Sequence, residues 1–313
     1  MGILLAMQGA ASQGVLWGIM TLGLYITFKI LDFADMTVDG SFALGGSLSA
    51  VLIVNGMNPF LSLAFAACAG GAAGYVTGVL NTKLKIPGLL AGILTMIALY
   101  SINIRIMGKA NTPLLGVTTM LSNFESGLGF SKTMSSLAIG ILFSGSIVAL
   151  MYWFFGTELG SAIRATGNNE KMVRALGVDT DSMKNIGLVI ANALVALSGA
   201  LVAQSQGYAD VGMGTGTIVI GLASIIIGEV IFGRRFSFWY RLLSVVFGSV
   251  IYRIIIAVVL QLGMKSTDLK LLTAIIVAIA LALPVFKLNI AASRKRRANN
   301  RKYADGAAEG GNA

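Results

Sequence analysis

The sequence contains no histidine and a single cysteine, and each scarcity removes a class of chemistry. Without histidine there is no Ser-His-Asp triad, no imidazole proton shuttle and no His-ligated zinc or haem. Cys68 lies in an apolar run and has no second thiol with which to form a disulfide or a metal-binding cluster. The Gly-x-x-x-x-Gly-Lys-Ser/Thr loop that cradles nucleotide phosphates is missing, so this chain alone is not expected to hydrolyse ATP. Charge is scarce as well: 12% of residues are charged, against roughly 25% in soluble domains, while 56% are hydrophobic. That balance excludes an ordinary soluble enzyme. Binding, gating and coupling remain.

Long apolar runs take up most of the 313 residues. A bilayer core needs roughly 20 apolar helical residues per crossing. Runs of that kind fall near 10–30, 41–55, 59–80, 86–107, 133–156, 185–206, 217–232, 237–261 and 269–288. The expected fold is an all-α polytopic membrane protein of about 8–10 transmembrane helices, a membrane domain over 1–290 with a basic tail at 291–313. The first run has no basic leader or Ala-x-Ala site and is expected to be a retained helix.

The net charge of +10 reads as topology before nucleic-acid binding in a chain this apolar. Lys83 and Lys85, the segment from Arg164 to Lys184, the turn with Arg234, Arg235 and Arg241, and the tail from Lys287 to Lys302 hold 16 of the 23 basic residues. Nine crossings put these four segments on one face, and the positive-inside rule makes it cytoplasmic, with the C-terminus inside and the N-terminus outside. The tail run Arg294 to Lys302 reads either as a topology anchor or as a contact for anionic lipid. Ala66, Gly70, Gly74 and Gly78 form a stripe on one helix, suited to close intrachain packing or to a dimer interface.

The segment 157–184 is the most informative. It interleaves four acids and four bases with Leu159, Ile163, Met172, Val173, Leu176 and Val178. From Asn168 it reads as a short amphipathic helix, capped by Asn168 or Asn169 and ended by Gly177 in a left-handed turn. Met172, Val173 and Leu176 give it one apolar edge. A connector does not need this surface; a docking helix for a cytoplasmic partner does. A helix lying among lipid headgroups is the other reading.

Glu158-Leu-Gly, then Arg164-Ala165, Gly167-Asn-Asn-Glu170, Ala175-Leu-Gly-Val178 and Ala196-Leu-Ser-Gly-Ala-Leu201 resemble the permease subunits of ABC importers. The likeness is to the branched-chain amino acid group, with the ribose-type permeases beside it. Leu31-Asp-Phe-Ala-Asp-Met-Thr-Val-Asp-Gly-Ser-Phe-Ala-Leu-Gly-Gly46 matches the family's break after its first helix, in a version that resembles permeases labelled for tryptophan and tyrosine. The resemblance implies an importer subunit in the bacterial plasma membrane, paired with a second permease copy and fed by an external solute-binding protein. ATP and magnesium would belong to a separate cytoplasmic ATPase. It also implies that Gly160, Arg164, Ala165, Gly167, Asn169, Glu170, Ala175 and Gly177 form the coupling segment to that ATPase.

Charges near the membrane suggest a solute path. Asp32, Asp35 and Asp39 share a face if their stretch is helical. They read as a gating element, or as a helix cap at Asp39 with Asp32 and Asp35 facing water and Lys29 within pairing reach. Arg105 and Arg253 fall roughly 24–28 Å from the basic ends of their spans, suited to snorkelling or to admitting a carboxylate. Glu229 is matched to Arg234 or Arg235. The glycine-rich loop 207–216 reads as a connector, or less simply as a gate. An ion-coupled secondary transporter is the alternative function. It would need carboxylates in the helix centres, and none is evident in the runs.

Overall fold

The computed structural model describes residues 2–129, 131–232, 237–264, 268, 271–279 and 282. Eight helical spans within them are long and apolar enough to cross a membrane. They comprise α1 (Gly2–Tyr25), α2 (Thr37–Val54), α3 (Pro59–Thr82), α4 (Gly88–Met107), α6 (Lys132–Gly156), α9 (Thr180–Gln206), α10 (Thr217–Phe232) and α11 (Phe238–Gln261). Shorter helices are α5 (Met120–Leu128), α7 (Glu158–Asn168) and α8 (Glu170–Ala175). The protein is a polytopic all-α membrane protein. Half of the ninth run, 269–288, lies outside the described residues, and so does the whole tail with its expected lipid contact.

Helices α1, α2 and α9 form the centre, and the others present apolar side chains outward. Leu16, Ile19, Met20, Phe42, Val195 and Leu201 are buried there. The small-residue stripe of α3 resolves to intrachain packing. A methyl group at Gly70 would meet the Asn192 carbonyl, one at Gly74 the Leu188 carbonyl, and one at Gly78 the Asn185 side chain, all on α9. Helix α1 continues past Tyr25 as a π-helical turn over Ile26–Ile30, which carries Lys29 to Glu229 on α10 at 3.2 Å. Lys29 therefore does not pair with Asp32 or Asp35. Arg234 and Arg235 lie outside the described residues.

The described parts of the first three basic segments meet at one end of the bundle. Lys85 pairs with Asp181 at 3.1 Å, and the Arg164 guanidinium lies 5.6 Å from the Phe238 ring centroid. At the far end, β1 (Asn111–Pro113) pairs antiparallel with β2 (Tyr208–Asp210). After β2 the chain turns into the bundle instead of passing over it. A 3-10 turn at Val211–Gly214 packs along α2, with Met213 against Gly46 and Gly214 against Ala43 and the Asp39 carbonyl. The expected plain connector at 207–216 is a re-entrant segment, and α10 starts where it ends.

Candidate functional site: a coupling end and an interior break

The segment expected to couple to an ATPase forms two short helices, α7 and α8, rather than one. Thr157 caps α7 by accepting from the Gly160 amide at 3.3 Å. Asn169 stands between the helices and caps α8 by accepting from the Met172 amide at 3.1 Å. Gly177, with φ +85°, turns the chain toward α9 in a conformation that glycine adopts without a Cβ clash. Gly167 has a contact role: a side chain there would meet the Ile30 carbonyl, so α7 sits directly against the end of the first span. Gly160 is held as closely, against Phe154 and Phe155.

The expected apolar edge of α8 is divided. Val173 is buried, whereas Met172 (54% exposed) and Leu176 (73%) project outward with Leu159. Polar groups fix the helix beneath them. Glu170 accepts from Lys184 at 2.6 Å and from Arg174 at 3.2 Å. Arg174 also reaches Asp181 at 2.8 Å and the Thr180 hydroxyl at 2.7 Å. The Lys184 hydrogen bond holds the Glu170 carboxyl below its ordinary value of 4.5; partial burial opposes this, and the Lys184 and Arg174 charges reinforce it. Ala165 is half-buried and Ala175 exposed.

The three aspartates part company. The stretch 31–36 is not helical, so the shared face does not form. Asp32 is exposed, with φ 52°. Asp35 is buried rather than facing water: it accepts from the Thr37 amide at 2.9 Å and from the Asn192 amide group at 2.7 Å. Ser41 donates to Asn192 at 2.7 Å, and the Thr37, Thr77 and Thr95 hydroxyls carry the network on to α3 and α4. This set escaped the sequence reading, which followed charges; an asparagine and three threonines in apolar spans were the available signal.

Asp39 lies inside α2 and caps a different helix from the expected one. Its Oδ1 accepts from the Thr217 hydroxyl at 2.7 Å and the Ile218 amide at 3.0 Å, and its Oδ2 accepts from the Gly216 amide at 2.9 Å. These groups form the N-terminus of α10, where unpaired amides and the helix dipole favour an anion. Asp39 has no salt bridge among the described residues. A cavity of about 340 Å³ opens beside it, bounded by α2, α4 and the re-entrant segment.

The two arginines occupy different settings. Arg105 is exposed in the last turn of α4. The Arg253 guanidinium lies 3.9 Å from the Trp17 ring centroid, and its Nε has no hydrogen-bond partner. Trp17 packs on Phe42 at 4.9 Å. With Asp210 and Tyr208, these two rings line a polar cavity of about 510 Å³ on the other side of the re-entrant segment.

Comparison with known proteins agrees with this architecture. The chain is 44% identical over 271 residues to a tyrosine transport system permease protein of Clostridioides difficile (strain R20291), covering 87% of this chain and 88% of that one. It is 34% identical over 276 residues to an uncharacterized protein of Rickettsia prowazekii (strain Madrid E), covering 87% and 95%. It is 26% identical over 183 residues to the ribose import permease protein of Escherichia coli (strain K12), covering 58% and 56%. Residues 6–282 match the family described as branched-chain amino acid transport system / permease component, and with the eight spans this places the chain among the permeases of that ABC-importer family.

Proposed function

We propose that the protein is the membrane subunit of an ABC importer for an amino-acid-like solute. A solute-binding protein delivers the solute outside, a second permease copy completes the path, and a cytoplasmic ATPase docks on α7 and α8. The plasma membrane of a bacterium is its location, with the basic end and the C-terminus inside. One observation carries the docking reading. Met172 and Leu176 project from α8 and its C-cap, which Glu170 and Arg174 pin to α9, and the adjoining α7 is seated on the first span through Gly167. An exposed apolar contact on a rigid mount transmits a push, whereas a loose loop absorbs it. The similarity to a tyrosine permease supports the solute class. Arg253 stacks on Trp17, which lines the polar cavity, and is the cation we assign to the solute's carboxylate.

Copurification tests the reading. Met172→Asp with Leu176→Asp is expected to abolish recovery of the ATPase and ATP-driven uptake while the chain stays folded. Full ATPase recovery and coupled uptake with this double variant would refute the docking surface.

The buried Asp35 is the observation that favours an ion-coupled transporter instead. Asp35→Asn separates the two. An ion-coupled carrier loses driven uptake, whereas an ATP-driven importer keeps it, because the isosteric amide still accepts from the Thr37 amide through its one oxygen and gives up only the bond from Asn192.

A further inference from the structure

The cavity beside Asp39 combines features that the capping of α10 does not use. Its polar end holds a carboxylate whose only charge compensation among the described residues is a helix N-terminus, equivalent to roughly half a positive charge. Three of the carboxylate's approximately four lone-pair sites are occupied, and one is open. Asn103 on α4 also lines the cavity and is 1% exposed. Its Nδ2 donates to the Gly40 carbonyl at 3.4 Å, while its Oδ1 has no partner. A buried acceptor left unpaired costs about 1–3 kcal/mol, and native structures seldom keep one without a use.

The other end of the cavity is apolar. Met96 and Ile97 line it, and Tyr100 stands 57% exposed beside them. Two acceptors, the Asp39 carboxyl and the buried Asn103 Oδ1, therefore stand at one end of the cavity and an aromatic and aliphatic wall at the other. A carboxylate would be repelled by Asp39. A primary ammonium offers three donors and one positive charge, which the open Asp39 site and Asn103 Oδ1 match, and a ring or aliphatic side chain then lies along Tyr100. The volume, about 340 Å³, falls at the small end of the roughly 300–1,000 Å³ usual for ligand sites.

We propose that this cavity binds the ammonium group of the transported solute, with Asp39 and Asn103 as its acceptors and Tyr100 against its side chain. The proposal rests on the transport reading above and names the part of the path that reads the amine.

The test uses the full chain in lipid nanodiscs, with Cys68 replaced by serine and Ile97 by cysteine as a reporter at the cavity wall. Maleimide labelling is timed with L-tyrosine, with tyramine (ammonium without carboxylate), and with 3-(4-hydroxyphenyl)propionate (carboxylate without ammonium). L-tyrosine and tyramine are expected to slow labelling roughly tenfold at ten times their Kd, since only empty sites react. The deaminated acid should leave it unchanged. Asn103→Leu, which leaves the α10 cap intact, is expected to remove the protection, and Asn103→Asp to strengthen protection by tyramine. Equal protection by the deaminated acid, protection by none of the three, or full protection in Asn103→Leu would each overturn the site. ATPase copurification is scored separately, so loss of this site leaves the importer reading standing, and the reverse also holds.

Discussion

Glu170 and Asp39 are both carboxylates in the first turn of a short or broken element, yet they are stabilised in opposite ways. Glu170 is partly solvated and answered by two flexible cations, Lys184 and Arg174. Asp39 sits inside the bundle and is answered by a hydroxyl and two backbone amides at the start of α10. Water and salt screen the first arrangement, so each of its pairs contributes little by itself. The second depends on groups whose positions the fold dictates. The difference suits their places: the surface pairs add small increments to a mount that Gly167 already seats on the first span, and the interior carboxylate holds a helix break in shape.

Removing Asp39 should produce the largest effect. Asp39→Ala leaves the α10 amides without an acceptor, and hydrogen bonds to charged groups contribute about 1.5–3 kcal/mol each. We expect a loss above about 3 kcal/mol, seen as a large fall in apparent Tm in detergent or as failure to accumulate folded protein. Asp39→Asn should fall between this variant and the parent. A change in Asp39→Ala no larger than that in Glu170→Ala would erase the contrast.

Gly167→Val comes next. Its side chain would meet the Ile30 carbonyl, and overpacking of this kind costs about 1–3 kcal/mol. Because α7 is at the surface, the expected result is a displaced mount: ATPase recovery falls while the spans remain folded by circular dichroism.

The smallest effect is expected at Glu170. Its partners are exposed enough that Glu170→Gln should cost about 0.2–1 kcal/mol at neutral pH, and less in high salt. Its lowered pKa fixes the sign of the pH dependence. The unfolded chain binds the proton more readily, so the stabilisation is present above about 4.5 and is lost as pH falls through the lowered folded value. The Tm difference between parent and Glu170→Gln should therefore hold down to about pH 4.5 and close only as pH falls from there through the lowered folded value. A difference that widens would contradict the assigned ion pairs.

The same contrast marks what was legible in the sequence. The spans were readable because each is one local run of apolar residues, and the eight found here agree with the runs expected over the described residues. The Asn169 cap and the Gly177 turn were readable because their partners lie within a few positions. Asp39 was not, since its partners are about 180 residues away and no local spacing reveals which helix it caps. Helix α7 was hidden for another reason: Gly160 and Gly167 are poor helix formers, kept for the contacts they allow with Phe154 and Ile30. Asn103 and Asn192 were visible as polar residues in apolar runs, but only the fold tells an unpaired acceptor from a satisfied one.

The stacking of Arg253 on Trp17 has an optical consequence. The chain has three tryptophans: Trp153 and Trp239 are 70% and 47% exposed on the outer surface, and Trp17 is 6% exposed at the wall of the polar cavity. Brominated lipids reach the first two and spare the third. The emission that survives such quenching comes from a ring in contact with a cation and with Phe42, so its wavelength and lifetime make the native protein its own fluorescent gauge of whether that cavity is wet or filled.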